Sequence, residues 1–263
     1  MEFIKPYVEL YEEPSTVQGM YDSIATVARV CTNSQSRGNS KEFVDRLIAM
    51  KHLSPLEHGK VYLVFSSNLP RAFQGSPFVS VKYDSHCFYV TTNYRFLHEN
   101  HLEYFLDSSF EQTSHHEVLV TLKIGCAIEV YKDLTRHRCM SPMVESTRFC
   151  NYSKGKFGSS VKFSLPCWLK EEDESFCKNS LETIEAIYLE ATKRGWSAEK
   201  ASYFLPQGTY ATMYLTGTEC AWKSLMNKRY YQTTGPVRPD VLEVTTQMFN
   251  ILSEQYQWNP RMS

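Results

Sequence analysis

Between Arg136 and Arg148 the sequence reads Arg-His-Arg-Cys-Met-Ser-Pro-Met-Val-Glu-Ser-Thr-Arg. Three arginines, one histidine and two serines fall within these thirteen residues, and Glu145 alone opposes them. Arginine is the favoured side chain for phosphate, because its planar fork donates two parallel hydrogen bonds. Arg136 and Arg138 stand two apart, so at a helix end they diverge and could grip two anions or two parts of one. Ser146, Arg148 and nearby backbone amides could complete an anion cradle. On spacing alone, a solvated basic patch, or arginines paired with Asp133 and Glu145, is the better reading.

The elements around this segment follow from hydrophobic periodicity. The spacing of Val17, Met20, Ile24, Val27 and Ala28 predicts a helix over Thr16 to Asn33. A second helix starts at Asn39 to Glu42, with Ser40 as a candidate N-cap, and His52 to His58 reads as a loop. Alternation predicts strands over Gly59–Ser66, Phe78–Lys82, Cys87–Thr92 and His116–Ile124, with a short helix over Asn93–His101. A helix from about Ala127 runs into Arg136, and a short strand lies near Val161 to Phe163. Helices are expected over Glu174–Arg194, after the cap Ser197, over Thr216–Tyr231 and over Pro239–Gln255. Strands early and helices late suit an α+β fold, a mostly antiparallel sheet with packed helices, in one domain over residues 1–263.

Composition bounds the function. A net charge of −1 gives no broad electropositive face for nucleic acid, so any anion site must be local. No apolar run is long enough to span a bilayer, and Met1 to Lys5 does not open like an export signal. The expectation is therefore a cytoplasmic protein with no membrane contact. The eight cysteines include no Cys-x-x-Cys pair and read as reduced thiols, with no zinc cluster. His115-His116 reads as a surface pair, and Tyr152 and Trp222 as core. No Gly-rich nucleotide loop is present.

The segment resembles the signature of the flavin-dependent thymidylate synthases (ThyX). That signature is Arg-His-Arg, seven residues, Ser, and Arg two places on. Here it is Arg136-His137-Arg138, then Cys139 to Glu145, then Ser146 and Arg148. Phe149-Cys150-Asn151-Tyr152-Ser153 is similar to the run that follows it in one branch of that family. His52-Leu53-Ser54-Pro55-Leu56-Glu57-His58 resembles the family's loop ending in Pro-x-Glu-His, and Ala28-Arg29 its early helix end. Leu205-Pro206, Thr216, Trp222 and Arg229 follow the spacing of its C-terminal region, so the likeness covers roughly residues 20 to 250.

The resemblance implies an α+β homotetramer with active sites where subunits meet. It implies FAD as bound cofactor, NADPH as reductant, methylenetetrahydrofolate as one-carbon donor, and dUMP as the substrate methylated to dTMP. Carried over by position, Ser54, Arg136, His137, Arg138 and Glu145 would hold the flavin. Arg136, Glu145, Ser146, Thr147, Arg148 and Arg229 would hold the nucleotide. Arg229 would be catalytic, polarising the uracil ring. Glu57 and His58 are equally well read as site residues or as caps of the loop.

Three positions depart from the family pattern. Ser202 stands in Ala201-Ser202-Tyr203-Phe204-Leu205-Pro206 where the family has an arginine. Thr218-Glu219-Cys220 replaces a flavin-touching Asn-x-Arg, and Thr233 replaces a histidine. Each change removes a charged or strong hydrogen-bonding group, worth roughly 1.5–3 kcal/mol if nothing compensates. Lys223 and Arg238 are candidate substitutes. Other readings are a paralogue acting at C5 of another pyrimidine nucleotide or transferring hydroxymethyl, or a flavin- or nucleotide-binding protein without turnover. The flavin-free type of thymidylate synthase has only the dipeptide Pro166-Cys167 in its favour.

Overall fold

The computed structural model describes the chain except residues 35–37, 85, 108–110, 156–157 and 257–263. Its first elements are β1 (Glu2–Ile4), β2 (Tyr7–Tyr11), α1 (Val17–Val30), α2 (Ser40–Ala49), β3 (Lys60–Phe65), β4 (Ser80–Tyr83), β5 (Phe88–Asn93) and α3 (Tyr94–Glu99). There follow β6 (Leu119–Ala127), α4 (Ile128–Leu134), β7 (Ser141–Val144), β8 (Lys162–Ser164), α5 (Glu174–Lys193) and α6 (Ala198–Ala201). Last come β9 (Tyr210–Thr218), α7 (Glu219–Arg229) and α8 (Pro239–Tyr256). The strands form a four-stranded sheet in the order β2-β6-β9-β7, a three-stranded sheet in the order β3-β5-β4, and the pair β1-β8. Both larger sheets are antiparallel, and the pair β1-β8 is parallel. The fold is α+β, as the sequence suggested.

The main core lies between the four-stranded sheet and the helices α4, α7 and α8. Leu122 and Ile124 of β6, Met213 and Leu215 of β9, Trp222 of α7 and Val244 of α8 are all fully buried there. A second core joins α1, α2 and α3 to the three-stranded sheet through Ile24, Val44, Leu63, Val90 and Leu97. Fully burying each such side chain contributes about 1.5–3 kcal/mol. Gly125 is where β6 lets two rings approach. A Cβ there would stand 2.1 Å from the Tyr210 hydroxyl and 2.3 Å from the Tyr7 ring.

Several expectations are corrected. The helix expected from Thr216 starts only at Glu219, because Tyr210–Thr218 is the inner strand β9, flanked by β6 and β7. An inner strand is buried on both faces. Ala211, Met213 and Leu215 alternate inward while Tyr214 and Thr216 are buried as well, so no apolar–polar alternation marks it. Helices still dominate the second half of the chain, as expected, with β7, β8 and β9 set among them. The strand expected over His116–Ile124 is shifted to Leu119–Ala127. The cap of α2 is Asn39, not Ser40: its side chain accepts from the amides of Lys41 and Glu42. His116 is no surface residue. It is 1% exposed, with Nε2 at 3.1 Å from the Leu63 carbonyl and Nδ1 accepting from the Thr113 amide. His115 is exposed and stacks on Tyr89. Tyr152 and Trp222 are core, as expected.

Candidate functional site

The signature segment begins just after α4, which ends at Leu134. The chain then turns, with the His137 amide bonded to the Leu134 carbonyl and the Met140 amide to that of His137. The turn leaves Arg136 and Arg138 exposed and gives the next residues to β7. Pro142 is tolerated in β7 because this strand is at the sheet edge, where one side needs no amide donor. Among the described residues neither Arg136 nor Arg138 has an ion-pair partner. Neither arginine is thus paired with Asp133 or Glu145; both are solvated and open to an anion.

His137 turns the other way. Its Nε2 lies 3.2 Å from Nε of Arg229, the last residue of α7. Arg229 also reaches Asp133, at 3.5 Å to the carbonyl and 3.9 Å to the carboxylate. A guanidinium nitrogen only donates, so Nε2 of His137 accepts and the ring is neutral with its proton on Nδ1. Burial, reinforced by the charges of Arg229 and Lys228, pushes the His137 pKa down to about 4. The structure thus joins two predicted residues that lie 92 positions apart.

The rest of the signature is committed differently. Glu145 is buried, and its Oε1 accepts from the Tyr152 hydroxyl at 3.0 Å. Burial and this carboxylate raise the Tyr152 pKa far above the usual range. The Glu145 amide bonds to the Thr212 carbonyl of β9 and the Ser146 amide to the Cys31 carbonyl, which pins the backbone. Ser146 and Thr147 are half-buried, and Arg148 is exposed, paired with Glu199 at 2.8 Å. Ser54 is exposed at the start of a 3-10 turn over Ser54–His58. That turn ends in His58, which is fully buried with Nδ1 2.7 Å from the Thr216 hydroxyl, itself 2.8 Å from that of Thr121. Burial drives the His58 pKa down to about 3, so His58 is a neutral structural link between the turn and β9.

A cleft of about 310 Å³ opens where β5, β7 and β9 meet. Its walls include Thr92, Cys139, Ser141, Thr216, Thr218 and Cys220. Thr216 therefore connects the buried His58 to the cleft. None of Ser54, Arg136, His137, Arg138, Glu145, Ser146, Thr147, Arg148 and Arg229 lines it. The sequence gives no sign of this cleft, because no strand is expected over Tyr210–Thr218, whose last three residues fall in the helix expected from Thr216, and Ser141 is only spacer in the signature. The departures Thr218 and Cys220 do line it, so the cleft wall presents a hydroxyl and a thiol there. Neither candidate substitute is free: Lys223 pairs with Glu219 and Arg238 with Glu129. Thr233 caps its own loop by donating to the Asn227 carbonyl, and Ser202 donates to the Glu199 carbonyl.

Compared with protein-family models, residues 81–256 match that of the thymidylate synthase complementing protein, Thy1. The chain belongs to that family. The Thy1 family makes it an enzyme, a methyltransferase. Comparison with curated proteins gives no match. Among solved structures, the chain is similar to a UMP/dUMP methylase PolB from Streptomyces cacaoi bound with 5-Br UMP. The TM-score is 0.49 at 16% identity, covering 97% of this chain and 92% of that one. The same protein bound with 5-Br dUMP gives 0.49 at 15% identity, over 97% and 93%. Among the described residues of this Thy1 protein, no helix is long and apolar enough to cross a membrane.

Proposed function

We propose that this Thy1 protein methylates dUMP at C5 to give dTMP, with methylenetetrahydrofolate as carbon donor and NADPH as reductant acting through FAD. The observation that carries the reading is the pairing of Arg229 with a neutral His137 beside the two uncommitted arginines, Arg136 and Arg138. Anionic ligands fit those cations. FAD brings a diphosphate and dUMP a monophosphate, and two diverging forks suit two such groups.

The residues present suit a flavin in one part of the site and not in another. Arg136, Arg138 and exposed Ser54 suit the dinucleotide, while Thr218 and Cys220 offer no charge. When bound, the flavin supplies the hydride that completes the transferred methyl group. Arg229 stays charged at neutral pH and stabilises negative charge developing on a pyrimidine carbonyl. Asp133 and His137 hold its guanidinium in place. His137 keeps its proton on Nδ1 and lends Arg229 a neutral acceptor, so the guanidinium keeps its full positive charge toward the substrate. Glu145 is held by Tyr152 behind the segment that carries Ser146, Thr147 and Arg148 toward the nucleotide. The exposure of Ser54, Arg136, Arg138 and Arg148 on one chain supports a site completed by another subunit, as in a homotetramer.

The test is product analysis. Incubating protein with dUMP, methylenetetrahydrofolate, FAD and NADPH should yield dTMP by mass spectrometry, and omitting any one component should abolish it. A 5-hydroxymethyl product, or turnover of UMP with none of dUMP, would overturn the reading.

A further inference from the structure

Two exposed cysteines face the same cleft. Cys139 lies in the turn before β7, and Cys220 in the first turn of α7; both are free and exposed, and both line its wall. They come from segments 81 positions apart, which the sheet brings together. In the β7–β9 register, Ser141 stands opposite Thr216 and Pro142 opposite Leu215. Cys139 lies two residues before Ser141, in the turn that leads into β7, and Cys220 two residues after Thr218, the N-cap of α7. The residues between them are packed tightly. A Cβ on Gly217 would stand 2.5 Å from the Met140 sulfur and 3.4 Å from the Ala221 Cβ. Met140 and Ala221 are each the direct neighbour of one cysteine, so their contact with Gly217 holds the two thiols to one rim. Neither thiol donates to a partner among the described residues.

We propose that Cys139 and Cys220 form a paired thiol site that hydrogen peroxide oxidises to a disulfide across the mouth of the cleft. One thiolate attacks a peroxide oxygen, giving a sulfenic acid and hydroxide, which leaves as water. The second thiolate attacks that sulfur, forms the S–S bond and expels the sulfenic oxygen as a second water. The two sulfurs lose two electrons together, and the peroxide gains them. The bond ties the start of β7 to the start of α7 and covers the wall formed by Thr216 and Thr218. The chain carries an internal control in Cys167, also exposed. Burial and the neighbouring Asp240 push its thiol up to about 11, so it stays largely protonated and slow to react.

The experiment is peroxide titration of the full chain, followed by alkylation of remaining thiols, non-reducing digestion and peptide mass mapping. The expected result is one intramolecular Cys139–Cys220 peptide pair, lighter by about 2 Da than the two free peptides. It should be reversed by dithiothreitol and absent from Cys139→Ser and from Cys220→Ser. Cys167 should remain alkylatable throughout. Both serine variants remove only exposed sulfurs, and thermal unfolding matched to the parent would confirm that they are folded. Linkage of either cysteine to Cys167, intermolecular linkage, or oxidation of Cys139 and Cys220 only to sulfinic acid would each overturn the proposal.

Discussion

Arg229 donates its Nε–H to Nε2 of His137 across 3.2 Å, joining the end of α7 to the turn after α4. The arrangement fixes the charge of both groups. Removing the cation should release the histidine. In Arg229→Ala, the His137 pKa is expected to rise from about 4 part of the way toward the ordinary value near 6.5, with burial and the charge of Lys228 still depressing it. A pH titration of the His137 ring by NMR checks this. An unchanged pKa would mean that the guanidinium does not face the ring.

Acid should destabilise the fold through two histidines. Both His137, at about 4, and His58, at about 3, are depressed in the folded state from 6.5. Between those values the unfolded chain binds more protons. Their contribution to stability is therefore complete above about pH 6.5 and is lost as pH falls toward the folded values. Urea unfolding at pH 7.5 and 5.0 should differ by on the order of 1 kcal/mol for each histidine. His137→Asn should flatten the slope, and equal stability at both pH values would contradict the two assignments.

Arg136→Ala and Arg138→Ala should each weaken binding of an anionic ligand by about 1.5–3 kcal/mol, or roughly tenfold to a hundredfold. Both side chains are exposed and unpaired among the described residues, so thermal unfolding should move little. Flavin titration by fluorescence quenching reads the first quantity and calorimetry the second. A large fall in melting temperature with unchanged affinity would reverse the assignment.

How much of this was legible depended on whether a residue's role was local. The role proposed for Arg136 and Arg138 could be read from residue types, since it needs only that they be charged and exposed. The joining of His137 to Arg229 could not, because it depends on where α7 ends relative to α4. That Glu145 is buried and accepts from Tyr152 could not be read either, because only packing decides it. The cleft was invisible because its wall is β9, whose two-sided burial erases the period-two pattern. Cys139 and Cys220 share that cleft only because β7 and β9 pair.

Tyr152→Phe should cost stability and not ligand affinity. It removes one donor to a buried carboxylate, a loss of about 1–3 kcal/mol. The change shows in urea midpoints with the slope of the transition unchanged. A variant as stable as the parent would mean that the hydroxyl does not support Glu145.

The measurement that bears most directly on C5 chemistry is tritium release from dUMP labelled at C5, in the presence of FAD, NADPH and methylenetetrahydrofolate. It compares the parent protein with Arg229→Ala. Release that needs all three components and falls about 10²–10³-fold in the variant is the predicted result. No release from folded, flavin-loaded parent, or equal release from Arg229→Ala, would contradict it.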